Sequence, residues 1–269
     1  MTNESTGQVS ANAAEIYELF FVPALFSEWA PRVVEATGLA SHERALDVAC
    51  GTGVVARQLA LCAGPERVHA LDRNAGMLEV ARRHADGISW HEGRAEALPF
   101  PDESFDVLTC QFGLMFFEDR IAALREMQRV LRPGGRLCLA VWGPLESTPG
   151  YHAMTELLRE LFGPAIAQEL AAPYCLGDRE ALSALLTKAW GTPPCITSLV
   201  GSGRFPSLSD WIHTDVKGWT LADRIDAAGL SRLLEEAPKR LARFVLPDGQ
   251  VEFASPGHLA SWTKPQQDV

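Results

Sequence analysis

Leu46-Asp47-Val48-Ala49-Cys50-Gly51-Thr52-Gly53 sets an acid and two glycines at the end of a short apolar run. Glycines there let a ligand approach the backbone, and a helix starting just beyond offers free N–H groups. Asp72 follows about twenty residues later, where an acid meets a ribose. Gly51 to Ala56 also satisfies G-x-G-x-x-G/A, so a nicotinamide or flavin dinucleotide competes for this loop. Asp47 argues against it: an ionised carboxylate at the mouth of the first strand repels a pyrophosphate and suits a ligand ammonium, directly or through water. Gln111 closes another apolar run, and a polar residue there needs a polar neighbour. Candidate proton acceptors lie further on: His152 beside Tyr151, and His213 in an apolar helical segment with Trp211 and Trp219. A lone histidine in an apolar helix is more often packed or exposed than catalytic.

The elements that must hold these residues alternate. Short apolar runs at 45–49, 68–71, 88–91, 105–111 and 136–142 read as strands, with helical spacing at 54–63, 75–85 and 121–131 between them. Strands of this kind are buried on both faces of a parallel sheet. Arg132-Pro133-Gly134-Gly135 reads as a turn before the fifth strand. Residues 15–29 mix aromatics with acids, and Pro23 is expected to break them into two short helices. Beyond the Pro/Gly-rich stretch 143–150, helices are expected at 154–170 and 178–188, a strand at 196–205, a mostly helical segment at 208–241 and a last strand at 251–262.

A net charge of −10 without any basic block makes nucleic acid a poor partner. The six cysteines form no C-x-x-C pair and no His cluster has zinc-ligand spacing, so reduced buried thiols and no metal are expected. Residues 1–15 are polar and do not read as a secretory signal, and no apolar run approaches the roughly 20 residues of a membrane span. These features point to a cytoplasmic enzyme with a small-molecule substrate and no membrane partner.

Three segments resemble one family. Residues 46–53 resemble the first motif of class I S-adenosylmethionine (SAM)-dependent methyltransferases; 93–106 (GRAEALPFPDESFD) and 126–137 (EMQRVLRPGGRL) resemble the ubiquinone/menaquinone-biosynthesis-like (methyltransferase type 11) branch. The resemblance spans 45–141, about two-fifths of the chain. It implies a doubly wound, mostly parallel seven-stranded Rossmann-like sheet with helices on both faces, an antiparallel last strand and a helical lid. One methyltransferase domain would fill 1–269: an N-terminal helical cap at 8–38, a SAM-binding core at 41–143, and substrate-side helices and last strands at 144–269 with a lid insertion at about 207–241.

The resemblance also implies roles. Asp47, Ala49, Cys50, Gly51 and Gly53 would line the methionine and ribose end, and Asp72 would accept both ribose hydroxyls. Arg73 and Met77 would flank the adenine, with Ala95 and Glu96 at its edge and Gln111 and Phe112 beneath the sulfonium. Arg94 stands where the family often has an acid that bonds the adenine amino group; with no acceptor it cannot do so, and it is expected near the cofactor only. Trp29 is expected over the cofactor, and Tyr17, Phe20, Phe116 and Trp211 around the substrate, under a lid of N-terminal and inserted helices. Tyr151, His152 and His213 are the candidate catalytic groups. The apolar lid (Leu208, Trp211, Ile212, Trp219, Leu221) suggests a hydrophobic, aromatic, polyketide or quinone-like acceptor, and leaves a homodimer open. The expected reaction is in-line methyl transfer by proximity and desolvation, giving S-adenosylhomocysteine (SAH). A protein that binds SAM without methyl transfer, or an NAD(P)-dependent oxidoreductase, stands as the alternative.

Overall fold

The computed structural model describes residues 11–217, 221 and 224–266. Its strands are β1 (Ala45–Val48), β2 (Val68–Asp72), β3 (Ser89–Glu92), β4 (Phe105–Gln111), β5 (Leu131–Trp142), β6 (Cys195–Phe205) and β7 (Val251–Thr263). The helices are α1 (Ala11–Ile16), α2 (Trp29–Thr37), α3 (Val54–Ala63), α4 (Ala75–His84), α5 (Arg120–Val130), α6 (Pro149–Phe162), α7 (Pro164–Ala171), α8 (Arg179–Trp190), α9 (Leu208–Lys217) and α10 (Ala227–Leu241). They build a seven-stranded sheet ordered β3-β2-β1-β4-β5-β7-β6. β1 to β5 pair in parallel, and β7 runs antiparallel to both its neighbours.

Strand order reverses between β1 and β4. Right-handed crossovers then put α3 and α4 on one face and α5 on the other. The crevice where ligands bind in such sheets therefore lies over the carboxyl ends of β1 and β4. Every residue of β1 is buried, which is why it reads as a continuous apolar run interrupted only by Asp47.

Polar side chains fix the ends. Asn74 caps α4 by accepting from the amides of Gly76 and Met77, and Asp119, Asp178 and Asp226 cap α5, α8 and α10. Arg129 of α5 donates to Glu126, to Asp102 and to the carbonyls of Leu98 and Phe100, while Glu126 accepts the Leu98 amide. The 93–106 and 126–137 motifs thus belong together: one holds the loop that the other forms. Residues 132–135 bulge out of the β4–β5 pairing, whose register shifts between Phe105 and Val107, and Gly134 has φ +77° there.

Pro23 does not break the N-terminal helix. α1 runs on into a π-helical stretch, Tyr17–Phe26, that contains it. In this wider turn the Ser27 amide reaches the Val22 carbonyl five residues back, and the proline ring escapes the carbonyl it would strike in an α-helix. Glu18 of this stretch accepts from Arg57 of α3 at 2.8 Å, and Glu28 accepts the Ser202 amide and hydroxyl of β6. The helix is thereby tied across the top of the sheet. α9 and α10 occupy the connection between β6 and β7, within the segment expected to be inserted. Of that segment, Trp219 lies outside the described residues, as do residues 8–10 of the expected cap.

Candidate active site

Two cavities lie side by side over the carboxyl ends of the strands. They share Tyr17, Phe112 and Phe116 as a common wall.

The first cavity is floored by the turn after β1 (Ala49, Gly51), the end of β2 (Leu71, Asp72) and the end of β4 (Gln111, Phe112, Gly113). Arg73, Asn74, Met77, Gly93, Arg94, Ala95, Glu96 and Phe117 complete it. Ala49 and Phe112, each directly after a strand, both take left-handed backbone, φ +56° and +52°. Non-glycine residues accept that conformation at a cost of about 1 kcal/mol or more, and such strain collects at functional sites.

Asp72 is the centre of this cavity. Its Oδ2 accepts the Gly51 amide and its Oδ1 the Asn74 amide, each at 2.8 Å. Burial pushes the carboxyl up, while those two amides and the Arg73 charge pull it down. The Arg73 backbone amide also reaches the carboxylate, which keeps acceptor capacity beyond these three donors for a ligand. Gly51 has φ +55°, and a Cβ there would touch the Tyr17 ring at 3.8 Å, so the turn lies directly beneath the tyrosine. Gln111 donates to the Phe26 carbonyl at 3.2 Å, and its buried Oε1 has no hydrogen bond. Arg94 reaches outward to Glu118 at 2.8 Å and Glu96 at 3.5 Å, and Arg73 reaches the same Glu118, so these charges rim the opening.

Four residues expected at the cofactor stand outside this lining. Asp47 is 1% exposed and accepts from Thr109 of β4 at 2.8 Å, inside the sheet. Burial pushes its carboxyl up to about 7, so it is no firm negative charge facing a ligand. Cys50 turns into the core. Gly53 has φ +88°, and a Cβ there would fall 2.5 Å from the Trp90 ring; glycine is required by packing against β3. Trp29 is fully buried edge-on against Phe112 and Trp142, with Gly201 and Gly257 leaving space for its ring. It supports the wall from behind.

The second cavity is aromatic. Phe21, Leu25 and Phe26 come from the π-helical stretch, Trp142 from β5, Tyr151 from α6, Leu170 and Glu169 from α7, and Pro173 and Tyr174 from the turn after it. Phe112 and Trp142 stack at 3.7 Å and 10°. Asp215 of α9 also lines it, 3% exposed, accepting from the Tyr151 hydroxyl at 3.0 Å. Burial pushes its carboxyl up to about 8.

Of the residues expected at substrate, Tyr17 and Phe116 line both cavities. Phe20 points outward, 40% exposed, and Trp211 is buried behind Tyr151 and against Phe205 and Phe253. Of the candidate catalytic groups, Tyr151 lines the second cavity. His152 is half-buried on α6 outside both linings, and His213 turns back on its own helix, 2.8 Å from the Ser209 carbonyl. Sequence reasoning passed over Asn74, whose capping role carried a local signal, and Asp215, whose role carried none.

The geometry joins a cavity floored by the glycine turn and Asp72 to an apolar one at the switch point of a Rossmann-like sheet. Known proteins of this architecture agree. Residues 46–139 match the methyltransferase domain family. The ubiquinone/menaquinone biosynthesis C-methyltransferase UbiE of Hahella chejuensis is 35% identical over 179 residues, covering 60% of this chain and 72% of that protein. The demethylmenaquinone methyltransferase of Renibacterium salmoninarum is 42% identical over 139 residues, covering 52% and 57%. Among solved structures, phosphoethanolamine N-methyltransferase 2 of Haemonchus contortus, in complex with SAH, superposes with TM-score 0.59 at 18% identity, covering 96% of this chain and 58% of that one. The YcgJ protein of Bacillus subtilis gives 0.58 at 19%, covering 89% and 99%. The chain belongs to the class I SAM-dependent methyltransferases, in the ubiquinone/menaquinone-biosynthesis-like family. The dinucleotide reading of the Gly51–Gly53 loop gives way to that membership. Among the described residues, no helix is long and apolar enough to cross a membrane.

Proposed function

We propose that this methyltransferase holds SAM in the first cavity and transfers its methyl group to a small, flat, apolar acceptor in the second. The observation that carries this reading is the shared wall: Tyr17, Phe112 and Phe116 touch both spaces, so a methyl group held near them borders the space an acceptor would fill.

The residues present fit the donor. Asp72 offers two acceptor oxygens to a ribose, Met77 and Arg73 flank a purine, and the unpartnered Gln111 Oε1 accepts from the methionyl ammonium. When bound, SAM supplies a methyl group activated by its sulfonium. The chain contributes alignment and exclusion of water. Phe112 stacked on Trp142, with Tyr17 over Gly51, forms a dry, fixed surface at the junction. The aromatic lining fits an aromatic, polyketide or quinone-like acceptor, the last in keeping with the names of its relatives. The six free thiols suit a reducing compartment such as the cytoplasm.

Incubation with SAM labelled in its methyl group and a panel of hydrophobic phenols and hydroquinones tests the reading. Label that moves into the organic extract only with acceptor present supports it. SAM binding with no label transferred to any apolar acceptor, but to a charged one, overturns the acceptor class.

A further inference from the structure

The acceptor cavity contains a buried carboxyl that a purely apolar pocket would not need. Asp215 sits among Tyr151, Tyr174, Leu170 and Leu221, 3% exposed. Its Oδ1 accepts the Tyr151 hydroxyl at 3.0 Å. Its Oδ2 is buried and makes no hydrogen bond; Trp211 Nε1, on the same helix, lies near the carboxyl but is likewise without one. A buried carboxyl oxygen left unpaired costs stability, and here it lies on a residue that lines a cavity. Asp215 shares this cavity with Phe112, Phe116 and Tyr17, the residues of the proposed methyl-transfer junction.

We infer that Asp215 Oδ2 is the proton acceptor of the reaction, and that the methyl acceptor presents it with a hydroxyl group. This rests on the proposed placement of donor and acceptor above. The hydroxyl proton passes to Oδ2. The electron pair left behind, on the oxygen or the carbon conjugated with it, forms the new bond to the methyl carbon. The carbon–sulfur bond breaks with its pair going to sulfur, and Asp215 gives the proton to water as products leave. Tyr151 is a positioning residue: its hydrogen bond occupies Oδ1 and leaves Oδ2 as the oxygen without a hydrogen bond.

The surroundings set the working range. Tyr151 from α6 and Tyr174 from the turn after α7 face the carboxyl, Tyr17 closes the cavity from the N-terminal helix, and Glu169 of α7 is paired with Arg224 at 2.5 Å. Burial outweighs the Tyr151 and Trp211 contacts and holds Asp215 near 8, close to operating pH, which suits a general base.

The test is binding of beta-naphthol, a fluorescent aromatic alcohol, to SAH-loaded protein across pH, for wild type, Asp215→Asn and Tyr151→Phe, with SAH affinity and circular dichroism measured on each. A carboxylate that accepts the naphthol proton makes wild-type affinity rise roughly tenfold between about pH 7 and about pH 9. Asp215→Asn, which can donate but not take a proton, gives a flat profile. Tyr151→Phe moves the rise to higher pH. A flat wild-type profile, the same rise in Asp215→Asn, or no naphthol binding by SAH-loaded wild type overturns the inference while leaving the SAM site standing. Failure of wild type to bind SAH at all overturns both.

Discussion

Asp72 Oδ2 accepts the Gly51 amide at 2.8 Å, which ties the end of β2 to the turn after β1. Its other oxygen holds Asn74, the cap of α4. One carboxylate therefore shapes the turn, starts a helix and lines the cavity. In Asp72→Asn the amide N–H₂ faces one of those backbone donors, so a hydrogen bond is replaced by a clash of donors. A lost hydrogen bond to a charged group is worth about 1.5–3 kcal/mol. SAH affinity in Asp72→Asn should fall by roughly 10- to 100-fold, as read by equilibrium dialysis.

Gly53 bears on stability through packing. In Gly53→Ala the new methyl meets the Trp90 ring, and alanine must hold φ near +88°. Overpacking and left-handed backbone together should lower the unfolding free energy by about 2–4 kcal/mol, seen as a lower urea midpoint with unchanged slope. An unchanged midpoint would show that Trp90 swings away freely.

Trp29→Phe separates a supporting role from cofactor contact. The ring is sealed behind Phe112 and Trp142. The smaller ring should cost about 1–2 kcal/mol of stability. SAH affinity should stay within about twofold; a loss beyond tenfold in folded protein would put Trp29 at the cofactor after all.

One acid-sensitive contribution should come from His69 of β2 and His91 of β3. His69 and His91 stack with Nδ1 to Nε2 at 3.0 Å, and Arg44 lies 3.1 Å from His69. Burial, then His91 and Arg44, push His69 down to about 4, and burial lowers His91 as well. The unfolded chain binds protons on both before the folded one does, so their contribution is present above about pH 6.5 and is lost as pH falls through the window below it. Asp47 and Asp215, held near 7 and near 8, act in the opposite sense over the same range, so the histidine share is read as a difference between proteins. Between about pH 7 and about pH 5 the urea midpoint of His69→Gln should rise relative to that of wild type; a constant difference would show that the pair contributes no acid sensitivity.

The lining of the first cavity was legible because its signals are local. Gly51 and Asp72 belong to neighbouring strand ends of one motif, and Arg73, Met77, Ala95 and Glu96 follow at strand-to-helix turns. Direction of side chains was not legible. Asp47 reads as a charge at a strand mouth, yet period-two alternation and its Thr109 partner across β4 turn it into the sheet. Trp29 and Trp211 carry the composition of a lid but fill core. Asp215 was passed over because it meets Tyr151 across 64 positions of chain, through packing that no spacing announces. Pro23 misled because a helix break is the rule for α-helical hydrogen bonding and not for the π register this segment adopts.

Titration calorimetry of the wild-type chain with SAH, alongside NADH, decides which cofactor the Gly51–Gly53 turn serves. A single SAH site of about micromolar affinity is expected, with NADH giving no comparable heat. Tight NADH binding with no response to SAH would contradict it and return the Gly51–Gly53 turn to the dinucleotide enzymes.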